Sequence, residues 1–294
     1  MSSGARWGIA MYLDYSEPKL RAAMLTGMSA DGDMVRQFGT AIKDFSFDAD
    51  RYNFREFAAR HLAKHGFLPD GVPLEQIHTV NSEEDLTVDS SGQSRLSSSL
   101  YSVGDGFQKS YFQFIKEVVR GELFNFDFYF QTVPTFRCSV PESPGYDWRP
   151  NYHTDIAIGH PPSVVNFWVP VTDCRGNNSL IYADLKDSVE VWRRYDCNFK
   201  AFHETLDRDD ALFAHCMEIS RSYDAQNGRG LAFDARCMHL HQKNDTDASR
   251  VSFDFRILSV DAYNSLGAEF VGTGRRGAQF RPGGYYHEKS VDQL

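Results

Sequence analysis

A mainly β chain with flanking helices (α+β), its strands wound as a double-sheet jelly roll, is what this sequence predicts. Three observations carry that expectation. Short stretches of alternating or β-branched and aromatic residues recur between residues 125 and 260, and alternate side chains of a strand face opposite sides. Clusters of Gly, Pro and Asn separate them, as between Pro141 and Pro150 and at Gly176-Asn177-Asn178. Helical spacing lies mainly before residue 124 and again between 185 and 221. Many short strands preceded by helices suggest two packed sheets with helices at their flank.

Taken in order, Met11-Tyr12-Leu13 reads as a strand or a helix start. Met34, Phe38, Ile42 and Phe45 recur every three to four residues, so a helix is expected from Asp33 to Phe45. A second helix is expected from Tyr52 to His65, with Phe54, Phe57, Leu62 and Phe67 inward and Gly66 ending it. Pro69, Gly71 and Pro73 make 68–78 a loop, and the polar run 81–106 reads as a lid or a plain surface connection. Phe107, Tyr111, Phe114, Ile115, Val118, Val119 and Leu123 line one side of an amphipathic helix.

The period then changes. Strands are expected at 125–131, 134–141, 164–171, 179–183, 230–233, 237–240 and 251–260. In the last, Val251, Phe253, Phe255 and Ile257 alternate with Ser252, Asp254, Arg256 and Leu258. Helical turns near 185–194 and 208–221 suggest an insertion beside the sheet. The tail from Gly267 reads as irregular, folded back over the site mouth. Residues 1–106 are therefore expected as a helical N-terminal region packed on a core of 107–294, together one structural domain.

Composition narrows the function. The 294 residues, 41% hydrophobic and 24% charged, suit one large globular domain. A net charge of −9 with no basic run argues against nucleic acid and against an anionic membrane surface. Five cysteines, Cys138, Cys174, Cys197, Cys216 and Cys237, are widely spaced and form no CxxC, which fits reduced thiols. The start lacks the apolar run of a signal peptide, and no apolar stretch is long enough to span a bilayer, so a cytoplasmic protein is expected.

The chemistry gathers in two stretches, Asn151-Tyr152-His153-Thr154-Asp155 and His239 to Ser252. On a strand, His153 and Asp155 would point to the same side and deliver a nitrogen and a carboxylate oxygen to one metal. A further histidine, His239 or His241, follows more than eighty residues on, and Arg250 about ten beyond. Two imidazoles and one carboxylate on one face of a metal leave positions for a chelating cosubstrate and O₂. Arginine supplies a planar, permanently charged fork for that cosubstrate's far carboxylate. His-x-Asp alone is common on surfaces; its occurrence together with the distal His and Arg gives it weight.

Three stretches carry a family resemblance: His153-Thr154-Asp155 with Gly159-His160-Pro161-Pro162; Asn166 to Thr172 through Asn178-Ser179-Leu180; and His239 to Thr246 with Arg250 to Arg256. With Pro282-Gly283-Gly284-Tyr285-Tyr286 they cover roughly residues 125–286. The chain resembles the Fe(II)/2-oxoglutarate-dependent dioxygenase superfamily, and within it the phytanoyl-CoA-hydroxylase-like oxygenases of antibiotic biosynthesis, the streptomycin-cluster type. That resemblance implies a cupin-like double-stranded β-helix, with Fe(II), 2-oxoglutarate and O₂ as cofactor and cosubstrates. It favours His239 over His241, because Asn244, Thr246 and Arg250 follow His239 at the family's spacing. Leu240 departs from the family, which often has Gly there.

The resemblance further implies that Arg250 and Ser252 bind the distal carboxylate. Asn166, Gln131 and Arg137 are expected to face the same cavity, holding cosubstrate or substrate or serving as ordinary strand polar residues. Asp254 and Arg256 read as an ion pair or surface charges, and His160 as structural or near the entrance. Asp155 occupies the position a halogenase leaves open for halide, which favours hydroxylation of a small molecule; desaturation and ring closure stay open. Two rivals remain: a cupin-type isomerase or hydrolase that ignores 2-oxoglutarate, and a non-catalytic β-barrel binding protein.

Overall fold

The computed structural model describes residues 33–88, 93–102, 104–143, 152–265, 272–273 and 277–294. Met11-Tyr12-Leu13, Asn151 and the Pro144, Gly145 and Pro150 of the expected loop lie outside them. Nine strands are formed among the described residues: β1 (Ile42–Ser46), β2 (Phe128–Phe130), β3 (Thr135–Ser139), β4 (Val164–Pro170), β5 (Leu180–Ala183), β6 (Ser220–Tyr223), β7 (Arg229–Asp234), β8 (His239–Leu240) and β9 (Arg250–Ser259). They make two antiparallel sheets. The larger runs β1-β7-β4-β9-β2, with β3 also paired to β9; the smaller runs β6-β5-β8. Trp168 of the larger sheet and Tyr223 of the smaller meet at 6.0 Å and share an apolar cluster, so the sheets face each other.

The strand β9 organises the larger sheet. Its register sets Asn166 opposite Arg256 and Trp168 opposite Asp254 along one edge, and Arg137 opposite Ser252 along the other. Val251, Phe253, Phe255 and Ile257 turn to the helical side and join one apolar cluster with Val165, Phe167 and Val169 of β4. Phe255 stacks on Phe167 at 4.5 Å with the rings 9° apart; such pairs add roughly 0.5–1.5 kcal/mol beyond the area they bury.

The helix covering that face runs through Asp105–Phe114 and continues with wider turns through Ile115–Leu123. Phe107, Tyr111, Phe114, Ile115, Val118 and Val119 are all buried, as the spacing predicts. The helix Phe54–Lys64 packs beside it, burying Phe54, Ala58, His61 and Leu62. Asn53, in the left-handed region at φ 53°, separates it from a turn of helix at Ala49–Tyr52, so the expected single helix is broken.

The helix expected from Asp33 to Phe45 stops at Phe38. Gly39 takes φ 69°, and residues 42–46 then pair with β7 as an edge strand. Helical spacing there was deceptive because only Phe45 of this strand is buried. The expected loop 68–78 holds a 3₁₀ helix at Leu74–Thr79. Within the polar run 81–106, Leu96 and Leu100 are buried in the main core, so the described part is anchored.

Between β5 and β6 the chain inserts three helices, Leu185–Arg194, Phe199–Leu206 and Asp210–Glu218. The middle helix and β6 were not expected. Trp192, Phe199 and Phe202 build a second core with Tyr152, Ile181 and Met238. Among the described residues no helix is long and apolar enough to cross a membrane.

Candidate metal centre

The site lies on the side of β9 turned away from the helical core. There Arg250, Ser252, Asp254 and Arg256 are all buried. A polar strand side with so little exposure needs internal partners, because a buried charge without one is costly.

His153 and β8 come together first. The backbones of His153 and His239 form an isolated antiparallel bridge, with N–H donated in both directions at 3.2 and 2.9 Å. Their rings lie 4.4 Å apart. Asp155 opens a short 3₁₀ turn, Ile156–Ile158, which Gly159 ends at φ 102°. One nitrogen from each histidine and one oxygen from Asp155 lie within 4.8 Å of one another. His239 Nε2 stands 3.6 Å from Asp155 Oδ1, a spacing two atoms can keep while each lies roughly 2.1 Å from one ion.

Proton placement suits the same use. His239 Nδ1–H donates to the Cys237 carbonyl at 3.1 Å, leaving the Nε2 lone pair toward Asp155. A second bond of this kind fixes the tautomer of a ligating histidine. Burial holds His239 below its ordinary pKa, against the pull of Asp155, and so keeps the ring neutral. Burial opposes the charge on Asp155, but the Arg256 guanidinium outweighs it and holds the carboxyl well below the usual range. Asp155 is fully buried, and its Oδ1 meets no hydrogen-bond donor among the described residues. An unsatisfied, ionised oxygen with a nitrogen of each of two histidines within 4.8 Å fits a divalent cation.

Arg250 lies on the same inner side, 2% exposed. Its Nη1 donates to His241 Nδ1 at 2.9 Å, and its guanidinium lies 5.7 Å from the Trp168 ring centre. Burial and this neighbour push His241 well down. The two candidate distal histidines thus part: His239 joins the cluster with His153 and Asp155, and His241 holds Arg250.

No protein-family model matches the chain. The chain is 30% identical over 159 residues to the streptomycin biosynthesis protein StrG of Streptomyces griseus, a match spanning 54% of this chain and 59% of that protein.

The chain is thus similar in sequence to an antibiotic-biosynthesis protein.

Solved structures similar to it include EctD from S. alaskensis with 2-oxoglutarate and 5-hydroxyectoine, at TM-score 0.45 and 15% identity over 88% of this chain and 86% of that one. The non-haem α-ketoglutarate-dependent carbocyclase SnoK from nogalamycin biosynthesis is similar at TM-score 0.40 and 12% identity, over 79% and 85%. AviO1 from Streptomyces viridochromogenes follows at 0.38 and 15%, over 77% and 93%.

The remaining expected residues divide in two. Asn166 is 2% exposed, and both its amide atoms lack partners among the described residues. Ser252 Oγ is likewise buried without a partner among them. Both sit on the inner side with Arg250 and are open to a ligand. Gln131 and Arg137 are already engaged. Gln131 donates to the Val133 carbonyl at 2.7 Å and to Thr135 Oγ1 at 3.2 Å, and accepts from Tyr285 Oη–H at 2.7 Å. Arg137 Nε donates to Asp254 Oδ2 at 2.8 Å.

Of the two readings of Asp254 and Arg256, the ion pair holds and the surface charges do not: each is 7% exposed and they are bound to one another. The alternating pattern that put them opposite the core was right, but the smaller sheet covers that side too. Sequence reasoning missed that Arg256 Nε donates to Asp155 Oδ2 at 2.7 Å. His160 lies behind Asp155, 3% exposed, its ring 3.7 Å from that of Phe280; burial drops its pKa to about 3. The described tail closes this side, with Tyr286 Oη 3.4 Å from His160 Nδ1 and Gly272 against Gly159.

Proposed function

We propose that this chain is a non-haem Fe(II)- and 2-oxoglutarate-dependent oxygenase acting on a C–H bond of a small molecule, with hydroxylation the favoured outcome. One observation carries the reading: one potential ligand atom from each of His153, Asp155 and His239 lies within 4.8 Å of the others, beside the strand side on which Arg250 is buried. In this reading those three residues hold the metal on one face, as two imidazoles and a carboxylate do in oxygenases of this kind. Iron bound there would supply O₂ activation coupled to the oxidative decarboxylation of 2-oxoglutarate to succinate and CO₂.

The protein's own part is placement. Arg250 offers two parallel N–H donors to the distal carboxylate, and Ser252 Oγ adds a third. His241 and Trp168 hold the Arg250 head in position. Asn166 supplies an amide whose donor and acceptor are both open, suited to the keto-acid end or to substrate. Burial of Arg250, Ser252 and Asn166 keeps bulk water from these groups, which strengthens their polar contacts. The likeness to a streptomycin biosynthesis protein supports a substrate drawn from secondary metabolism or an amino-acid derivative. We also read residues 33–106 and the core as one structural domain, since helix and sheet share a single apolar cluster.

The test is an anaerobic titration of the apo-protein with Fe(II) and then 2-oxoglutarate. A visible charge-transfer band is expected when both bind, followed by succinate release on admitting O₂. Metal binding that 2-oxoglutarate leaves unaltered would redirect the reading to another metalloenzyme chemistry. No metal binding at all would end it.

A further inference from the structure

A line of alternating charge runs across the buried side of β9 and ends at the proposed metal. Arg137 Nε donates to Asp254 Oδ2 at 2.8 Å, and Arg256 Nη1 donates to Asp254 Oδ1. Arg256 Nε donates to Asp155 Oδ2 at 2.7 Å. Arg256 Nη1 also lies 3.5 Å from Gln131 Oε1, which Tyr285 Oη–H holds at 2.7 Å. The outer end, Arg137, has a side chain 32% exposed; the inner end, Asp155, is fully buried.

This arrangement treats the two oxygens of Asp155 differently. Oδ2 is occupied by a guanidinium that is itself held from behind. Oδ1 has no donor among the described residues and faces His239 Nε2 at 3.6 Å. A carboxylate with both oxygens free could grip a cation with either or both, and would close the positions a chelating cosubstrate needs. We propose that Arg256 is a positioning residue that commits Asp155 to offering one oxygen to the metal, with Asp254 holding Arg256 in that role. The inference rests on the metal-centre reading above. Partners behind a ligand are worth 10–100-fold in metal affinity in comparable sites.

The experiment compares the wild-type chain with Arg256→Met, Arg256→Lys and Asp254→Asn. Fe(II) affinity is measured by anaerobic titration, the Co(II) absorption spectrum reports coordination geometry, and circular dichroism of the apo-proteins checks the fold. Arg256→Met is expected to weaken Fe(II) binding roughly 10–100-fold and to alter the Co(II) spectrum. Arg256→Lys keeps a donor without the fork and should fall between it and wild type. Folded Arg256 variants with Fe(II) affinity within about twofold of wild type and an unchanged Co(II) spectrum overturn the proposal while leaving the metal centre standing. If neither Arg256 variant folds, Asp254→Asn decides: a several-fold loss of affinity with a shifted spectrum supports it, and wild-type values overturn it. Wild-type protein that binds neither ion overturns this proposal and the function beneath it together.

Discussion

The two sides of β9 are equally dry and chemically opposite. All ten residues, Arg250 to Ser259, are buried. On one side Val251, Phe253, Phe255 and Ile257 join an apolar cluster with residues of β3, β4 and the helices. On the other, Arg250 meets the His241 imidazole and Arg256 meets the Asp254 and Asp155 carboxylates, while Ser252 Oγ has no hydrogen-bond partner among the described residues. The first side is stabilised by area and close packing, which any well-fitting apolar set can supply. The second contributes little net stability, because desolvation offsets the attraction within buried pairs. Its residues are explained by what they hold. Mutations should therefore divide by side, the apolar one controlling folding and the polar one controlling ligands.

The largest effect belongs to Asp155. Asp155→Ala should abolish Fe(II) binding and bring succinate formation to background while the protein still folds, read by titration and circular dichroism together. Next comes the opposite side: Phe255→Ala removes a stacked, fully buried ring. It should lower unfolding free energy by roughly 3–5 kcal/mol in urea, with 2-oxoglutarate affinity unchanged in the remaining folded protein. Arg250→Met is the mirror experiment. It should cost roughly 2–5 kcal/mol of 2-oxoglutarate affinity, as loss of one partner of a buried charge pair does, with the urea midpoint nearly constant. Equal effects of the Phe255 and Arg250 changes on stability would erase the distinction between the sides.

The smallest effect lies where the 3₁₀ helix at 74–79 meets the turn into β9. Arg55 donates to both oxygens of Glu75 at 2.6 and 2.7 Å and also to the Val171 carbonyl, and Ser249 N–H donates to the Glu75 carbonyl at 2.7 Å. Burial raises the Glu75 pKa, but the Arg55 bonds outweigh it, leaving the carboxyl below its ordinary value. The unfolded chain thus takes up this proton more readily. The pair's contribution is complete above the unfolded pKa and disappears as pH falls through the folded one. Glu75→Gln should flatten the acid limb of the stability profile by about 1 kcal/mol, with no change in metal affinity.

Alternation made β9 legible in the sequence, because a period of two along the eight residues Arg250 to Ile257 fits no helix. His-x-Asp and the distal histidine were legible through their spacing to Arg250. The fate of the polar side was not. Ser252, Asp254 and Arg256 read alike whether water or a second sheet covers them, since the strands β5, β6 and β8 of that sheet are only two to four residues long. The choice between His239 and His241 needed a family pattern for the same reason: a two-residue offset keeps both on one side. The strand β1 was hidden by coincidence. Four apolar residues at helical spacing spanned a Gly-Thr break, and pairing with β7 outweighed local preference. Gly39 was the available warning.

The contact of Gly272 with Gly159 has a practical side. A methyl group on Gly272 would lie 2.4 Å from the Gly159 carbonyl oxygen, and Phe280 N–H donates to the Gly272 carbonyl. The stretch around Phe280 is thereby keyed into the bend that carries Asp155. Deleting residues 279–294 should strip the rear of the pocket and admit solvent to a carboxylate now sealed from it, which faster amide exchange at Asp155 to Gly159 would reveal.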